Sequence, residues 1–379
     1  MINYLEPSPL LTCFSLFLYL YIVLKNREIL NKRSFCLDRN NRVLSSIFMM
    51  VLLFAMTPFF SGDFYHYIEW VEDANVQWNI NEFSHIEVAY QYISSFVNGS
   101  YFPFRFIVWG GEIFLISMIA RRFKMSVKLT LYLILLLFPI LYSYARASLA
   151  MAVYFYGLSY ILKPFYNRLF SYIVGVLIIT ICPIFHRSMY VLIVITPIAI
   201  LPLFYSLRSK WKLLFYILGI IISVYAFSRV LLYLDLVDII GDETLQAKLT
   251  KYSEKEVIEK GLASKLKTLL EKFFHWGSVY LFFKYCLKNI QEKNSIIEKL
   301  FVFSITILFI GSTLGFCGEA FHTLSYRISA MFFIPFTLMI AYSYQYSLIS
   351  KKTVKRICLL AILYSIYSLI YSVYLSIVK

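Results

Sequence analysis

Three arginines, Arg146, Arg187 and Arg327, stand apart from the basic clusters of the chain, each beside a long apolar run. A guanidinium at the centre of the hydrocarbon costs about 3 kcal/mol on insertion scales, so an arginine near it is usually partnered or functional. It stays charged and grips phosphate oxygens through paired hydrogen bonds, so three at one depth suit a strongly anionic group. Imidazoles keep them company: His186 adjoins Arg187, and Glu319 and His322 shortly precede Arg327. An imidazole or a carboxylate can orient or deprotonate a hydroxyl. Asp63, directly after Gly62 and followed by Tyr65, His66 and Tyr67, is an acid placed for that role, with His186 the other candidate. The plainer reading is that each arginine snorkels to a membrane surface or pairs with a nearby carboxylate. Glu69, Glu72 and Asp73 read as a solvated helix face, and Glu112, after Gly110 and Gly111, as a polar residue inside an apolar run.

Other chemistry has no foothold in the motifs. There is no Asp-x-Asp, glycine-rich phosphate loop, His-Glu-x-x-His or Cys-x-x-Cys. No cofactor and no metal site are therefore expected. The six cysteines are scattered and mostly lie in apolar runs, where they read as small fillers. Most of the 32 tyrosines and 35 phenylalanines read as interfacial belt or packing.

The elements that must position these residues follow from composition. Of 379 residues 60% are hydrophobic and only 15% charged, which excludes a disordered chain, a disulfide-stapled secreted domain and an ordinary cytosolic enzyme. The fold class expected is all-α, a polytopic membrane protein forming a single transmembrane domain over 1–379. Twelve runs approach the roughly 20 residues needed to cross about 30 Å of hydrocarbon: 9–24, 43–60, 102–120, 129–144, 147–162, 169–185, 189–207, 213–234, 274–287, 300–317, 328–346 and 357–378. The first has an acidic leader and no cleavage pattern, so it is expected to remain as a span. Residues 85–97 look helical but polar, as an outer or re-entrant segment would.

A net charge of +15 could suggest nucleic acid, but no basic face interleaved with aromatics is present, and no nucleic-acid partner is expected. The basic clusters Lys25–Arg42, Arg121–Lys128, Lys163–Arg168, Arg208–Lys212, Lys284–Lys299 and Lys351–Arg356 instead fall between alternate spans. The positive-inside bias makes those loops cytoplasmic and both termini external. All five histidines, His66, His85, His186, His275 and His322, then fall at outer span ends or in outer loops. Two outer segments, 61–101 and 235–273, are expected to cover the site. The second repeats Ile258, Leu262, Leu266, Leu269, Leu270 and Phe273 at helical spacing, as an amphipathic helix lying on the membrane or a mobile lid would.

Tyr144-Ala145-Arg146-Ala147-Ser148-Leu149-Ala150, followed by Phe185-His186-Arg187-Ser188-Met189, resembles the Arg-x-x-(Leu/Ile)-Ala and Phe-His-x-Ser patterns of the EpsG/Wzy family of bacterial polysaccharide polymerases, and the likeness runs in order along 43–345. Ser61-Gly62-Asp63-Phe64-Tyr65 looks like its Gly-Asp-Tyr loop, Glu87 like the glutamate opening its next segment, and Tyr326-Arg327 with Pro335 like its late Arg-span-Pro element. The resemblance implies a C-type glycosyltransferase-like bundle in the bacterial inner membrane, with its active site facing the periplasm. The implied enzyme is a metal-independent O-antigen or other surface polysaccharide polymerase that joins repeat units carried on undecaprenyl diphosphate. Its partners would be a lipid-linked glycan donor, a lipid-linked acceptor and membrane lipid, and a chain-length regulator protein is compatible with it. In that reading Arg146, Arg187 and Arg327 bind the diphosphate, His186 and Asp63 are catalytic, and Glu87, Tyr65, His66, Glu319 and His322 serve the acceptor side. The rival readings are a lipid-linked glycan flippase or other transporter, an O-antigen ligase and a membrane acyltransferase.

Overall fold

A computed structural model describes residues 9–30, 47–52, 68, 71, 87–137, 145–165, 167–200, 209–233, 262–285, 296–317 and 322–378. Among them every regular element is helical, as runs this apolar require when backbone groups find no water. In chain order the helices are α1 (Pro9–Asn26), α2 (Val88–Phe96), α3 (Tyr101–Arg122), α4 (Val127–Leu136), α5 (Ala145–Leu162), α6 (Arg168–Phe185) and α7 (Met189–Ile200). They continue with α8 (Lys210–Tyr233), α9 (Leu262–Tyr285), α10 (Ile296–Leu314), α11 (His322–Ala330), α12 (Phe333–Gln345) and α13 (Lys351–Val378). Each of the twelve expected runs contains helix, the second being described only at 47–52.

Six stretches among the described residues are long and apolar enough to cross a bilayer: α3, α6, Trp211–Arg229 of α8, α10, Arg327–Gln345 through α11 and α12, and Lys351–Tyr371 of α13. Helices α10 and α12 are buried on nearly all sides, and α8 is mostly exposed. Trp211, Leu214, Phe215, Leu218, Ile222 and Tyr225 of α8 all face outward, a surface that suits lipid and would be an aggregation hazard in water. Short of spanning length is α2, nine residues or about 13 Å at 1.5 Å per residue. That length suits the reading of 85–97 as an outer or re-entrant segment rather than a span, without choosing between the two. A tight turn through Asn98 and Gly99, both with positive φ, folds it back to meet α3.

Hydrogen bonds fix which ends lie together. Gln345, at the end of α12, accepts from the Ser126 backbone at 2.5 Å and donates to the Lys124 carbonyl at 2.7 Å. The Tyr344 hydroxyl donates to Leu30, and Arg122 donates to the Lys163 carbonyl at 2.6 Å. The cationic stretches around Arg27, Arg122, Lys163 and Lys351 therefore share one end of the bundle, the basic end, as the charge pattern required. Residues at the far ends of α5, α6 and α12 belong to the opposite end.

Three expectations need correction. Helix α9 begins at Leu262 and runs without a break to Tyr285, so Leu262, Leu266, Leu269, Leu270 and Phe273 are not a separate surface helix preceding a span at 274–287. Residues 235–261 lie outside the described residues. The same continuity overturns the placement of His275 at an outer end. It sits ten residues from the basic end, about 15 Å at helical rise, buried against the rings of Phe274, Phe332 and Phe333. The run 328–346 is not one helix: α11 stops at Ala330 and α12 starts at Phe333. Pro335 explains that break, because its ring would clash with the carbonyl four residues back, at Met331.

Candidate functional site

The site end of α5 and α6 is set by two glycines. A Cβ on Gly157 would lie 2.9 Å from the Gly175 carbonyl oxygen, and one on Gly175 would lie 2.9 Å from the Gly157 oxygen, so the two backbones touch there. Arg146 precedes Gly157 by eleven residues, and His186 follows Gly175 by eleven. Since the helices run antiparallel from that crossing, equal counts raise both side chains to one level, about 16 Å away at 1.5 Å per residue. Pro183 then removes a helical N–H near the end of α6, and His186 takes an extended backbone, φ −162° and ψ 123°. Arg187 and Ser188 complete a short link whose backbone bonds start α7.

Glu87 ties this level to α2. It caps that helix in an extended conformation, with its carbonyl accepting from Tyr90 at 3.0 Å. Its Oε2 accepts from Nη1 of Arg146 at 2.9 Å, and its Oε1 lies 3.9 Å from Nε2 of His186. On the other side of the imidazole, Nδ1 accepts the Ser188 N–H at 3.3 Å and lies 2.5 Å from the Ser188 hydroxyl. An accepting Nδ1 leaves the ring proton on Nε2, aimed toward Glu87. Burial pushes His186 down from its ordinary 6.5 to about 4; Glu87 opposes that shift, while Arg146 and Arg327 add to it. The imidazole is therefore neutral at pH 7, within electrostatic reach of two guanidinium groups and one carboxylate.

Tyr90 holds the pieces in place. Its hydroxyl donates to the Arg146 carbonyl at 2.7 Å, and its fully buried ring meets Phe185 edge-on at 6.4 Å and Phe104 at 6.1 Å. Ser94, one helical turn further along α2, donates to the Val71 carbonyl at 2.7 Å. Below Arg146 on α5, Ser148 donates at 2.6 Å to Oε1 of Glu112, whose Oε2 is buried with no hydrogen-bond partner.

Of the residues singled out from sequence, the structure brings together Arg146, His186 and Glu87, with Arg327 near enough to act on His186. Arg187 is exposed beside His186, and Arg327 is exposed on the last turn of α11. His322 opens α11. Asp63, Tyr65, His66, His85 and Glu319 lie outside the described residues. Glu87, known from sequence only through the family likeness, is the link between Arg146 and His186. Tyr90 gave no signal, being one of 32 tyrosines. Arg105 was hidden in a run read as nearly free of charge: it is buried near the start of α3, its guanidinium 5.5 Å from the Tyr101 ring centre. A lone arginine in an apolar run was the available clue. Among the described residues no three His, Cys, Asp or Glu side chains form a group able to hold a metal ion.

Fold and site together define a multi-pass helical membrane protein with an arginine–carboxylate–imidazole cluster at one end. The sequence matches the EpsG family over residues 41–378, nearly the whole chain, and the protein belongs to that family. Membership supports a membrane protein of the polysaccharide-polymerase type. No curated protein and no solved structure matches the chain.

Proposed function

We propose that the protein is a surface polysaccharide polymerase, acting on O-antigen or a related glycan at the outer face of the bacterial inner membrane. It joins oligosaccharide repeat units carried on undecaprenyl diphosphate. The observation that carries this reading is the shared level of Arg146, Glu87 and His186 at the end of the bundle opposite the basic loops, in a chain that matches the EpsG family almost throughout. Guanidinium groups at that depth suit a diphosphate at the membrane surface, and the outward apolar faces nearby suit its polyprenyl tail.

The geometry suggests a division of labour. Arg146 is held by Glu87 when no substrate is bound. An incoming diphosphate competes for that guanidinium and releases the carboxylate. Glu87, oriented by the Nε2–H of His186, then accepts the proton of the acceptor sugar hydroxyl, with Asp63 the alternative base. The hydroxyl oxygen bonds to the donor's anomeric carbon as the bond from that carbon to the diphosphate breaks. The lipid diphosphate leaves with the electron pair, and Arg146, Arg187 and Arg327 stabilise its charge. Nothing in this scheme requires a metal, so activity is expected to persist in excess chelator.

In cells, Arg146→Ala and Arg187→Ala should leave the protein inserted at normal abundance while long-chain glycan disappears from gels, leaving single repeat units. Normal chain length in both variants would defeat the assignment. The transporter reading draws on Glu112, the ionisable residue deepest in α3, but this side chain is enclosed between α3 and α5 against Ser148.

A further inference from the structure

The basic end of the bundle holds a second cationic feature, unconnected with the site above. Lys351, Lys352, Lys355 and Arg356, in the first two turns of α13, line with Leu359 a groove of ≈ 500 Å³. Outside that lining, at the end of α9, stands Lys284, whose Nζ lies 5.7 Å from the Tyr280 ring centre and 5.2 Å from that of Tyr285. Tyr285 is within hydrogen-bonding reach of both Lys284 and Arg356, so the two helices meet around it.

Helix α13 carries no acid, and the one acid of α9, Glu271, lies thirteen residues from Lys284. No Asp or Glu occurs from residue 320 to the end of the chain or between Lys272 and Tyr285. The placement is also the reverse of what a helix favours, since the N-terminus of α13 already carries partial positive charge and acids are the stabilising residues there. Orientation by the positive-inside bias explains why cations lie at this end. It does not explain four of them converging on one groove at a helix N-terminus. Beneath them Leu359, Leu363, Ile370 and Tyr374 recur on one outward face of α13, all about half exposed, over 15 residues or about 22 Å. Cations above a long apolar stripe match an amphiphile with an anionic head, a match that a free phosphate ion could not use fully.

We propose that this groove binds the headgroup phosphate of an anionic phospholipid, with its acyl chains along the Leu359–Tyr374 face of α13. The full chain, purified in detergent and placed in phosphatidylcholine nanodiscs with or without phosphatidylglycerol, tests it by native mass spectrometry and thermal unfolding. Phosphatidylglycerol should be retained through delipidation and should raise the unfolding midpoint, and 10 mM inorganic phosphate should do neither. Lys352→Gln/Lys355→Gln/Arg356→Gln should reduce retention at least fivefold. The control Arg121→Gln/Lys124→Gln/Lys128→Gln removes the same charge from the same end and should retain the lipid. If the groove variant does not fold, Lys352→Gln and Lys355→Gln singly should each reduce retention about twofold. Equal loss in groove and control variants, undiminished retention in the groove variants, or stabilisation by phosphate equal to that by lipid would overturn the proposal.

Discussion

Arg146 holds Glu87 at 2.9 Å, and any anion that binds Arg146 must loosen that grip. The exchange makes Glu87→Gln the most informative single-residue change. It removes a proton acceptor but keeps the shape, so kcat should fall by about 10²- to 10⁴-fold, while KM for the lipid-linked donor should not rise, since its diphosphate no longer has to displace a carboxylate from Arg146. A change confined to KM would assign Glu87 to binding instead. His186 offers a test that needs no substrate. Its folded pKa, about 4, lies below the ordinary 6.5, so the unfolded chain takes up the proton first on acidification. The associated stability is present above pH 6.5, declines as pH falls toward 4 and then levels off. At 1.36 kcal/mol per unit the effect is at most about 3 kcal/mol. The thermal midpoint of the wild type should therefore drop across that window more than that of His186→Gln, and parallel curves would contradict the buried, neutral imidazole. Arg146, His186 and Arg327 were legible in the sequence because charged groups are rare in apolar surroundings. Ser188 was marked only through the Phe-His-x-Ser likeness, and Tyr90 was not marked at all, because tyrosine is common and only coordinates reveal that it bonds the site.

At the level of elements, the contact between Gly157 and Gly175 sets the register of α5 on α6. Gly157→Val should force the helices apart against the Gly175 carbonyl and Ile178, costing roughly 1–3 kcal/mol and separating Arg146 from His186. Cross-linking between cysteines introduced at Ala145 and Arg187 should then weaken, while insertion persists; unchanged cross-linking would show that the glycines do not set the register. Helix existence was readable from the apolar runs, since hydrophobicity alone dictates helix in hydrocarbon. Boundaries were not. The break between α11 and α12 could have been read from Pro335, whose effect falls four residues upstream, at Met331. The fusion of 262–273 with 274–285 escaped because an amphipathic face gives the same periodicity on a membrane surface as at the start of a longer helix.

For the whole molecule, the positive-inside pattern foresaw that the loops around Arg27, Arg122, Lys163 and Lys351 would gather, and the hydrogen bonds of Gln345, Tyr344 and Arg122 join them at one end. The histidines obeyed that division less well: His275 is packed among aromatic rings in the bundle interior, an outcome that counting span ends could not reveal. Concentration of the arginine–carboxylate–imidazole cluster at the opposite end makes the two functional classes separable. A transporter needs two compartments, whereas an enzyme changes its substrate without them. The decisive measurement is incubation of purified protein in detergent with undecaprenyl-diphosphate-linked repeat units, followed by electrophoresis of the glycan. A ladder of polymers that persists in chelator and is absent with Arg146→Ala is the expected result; unaltered single repeat units in detergent, together with movement of the same lipid across vesicles containing the protein, would contradict it.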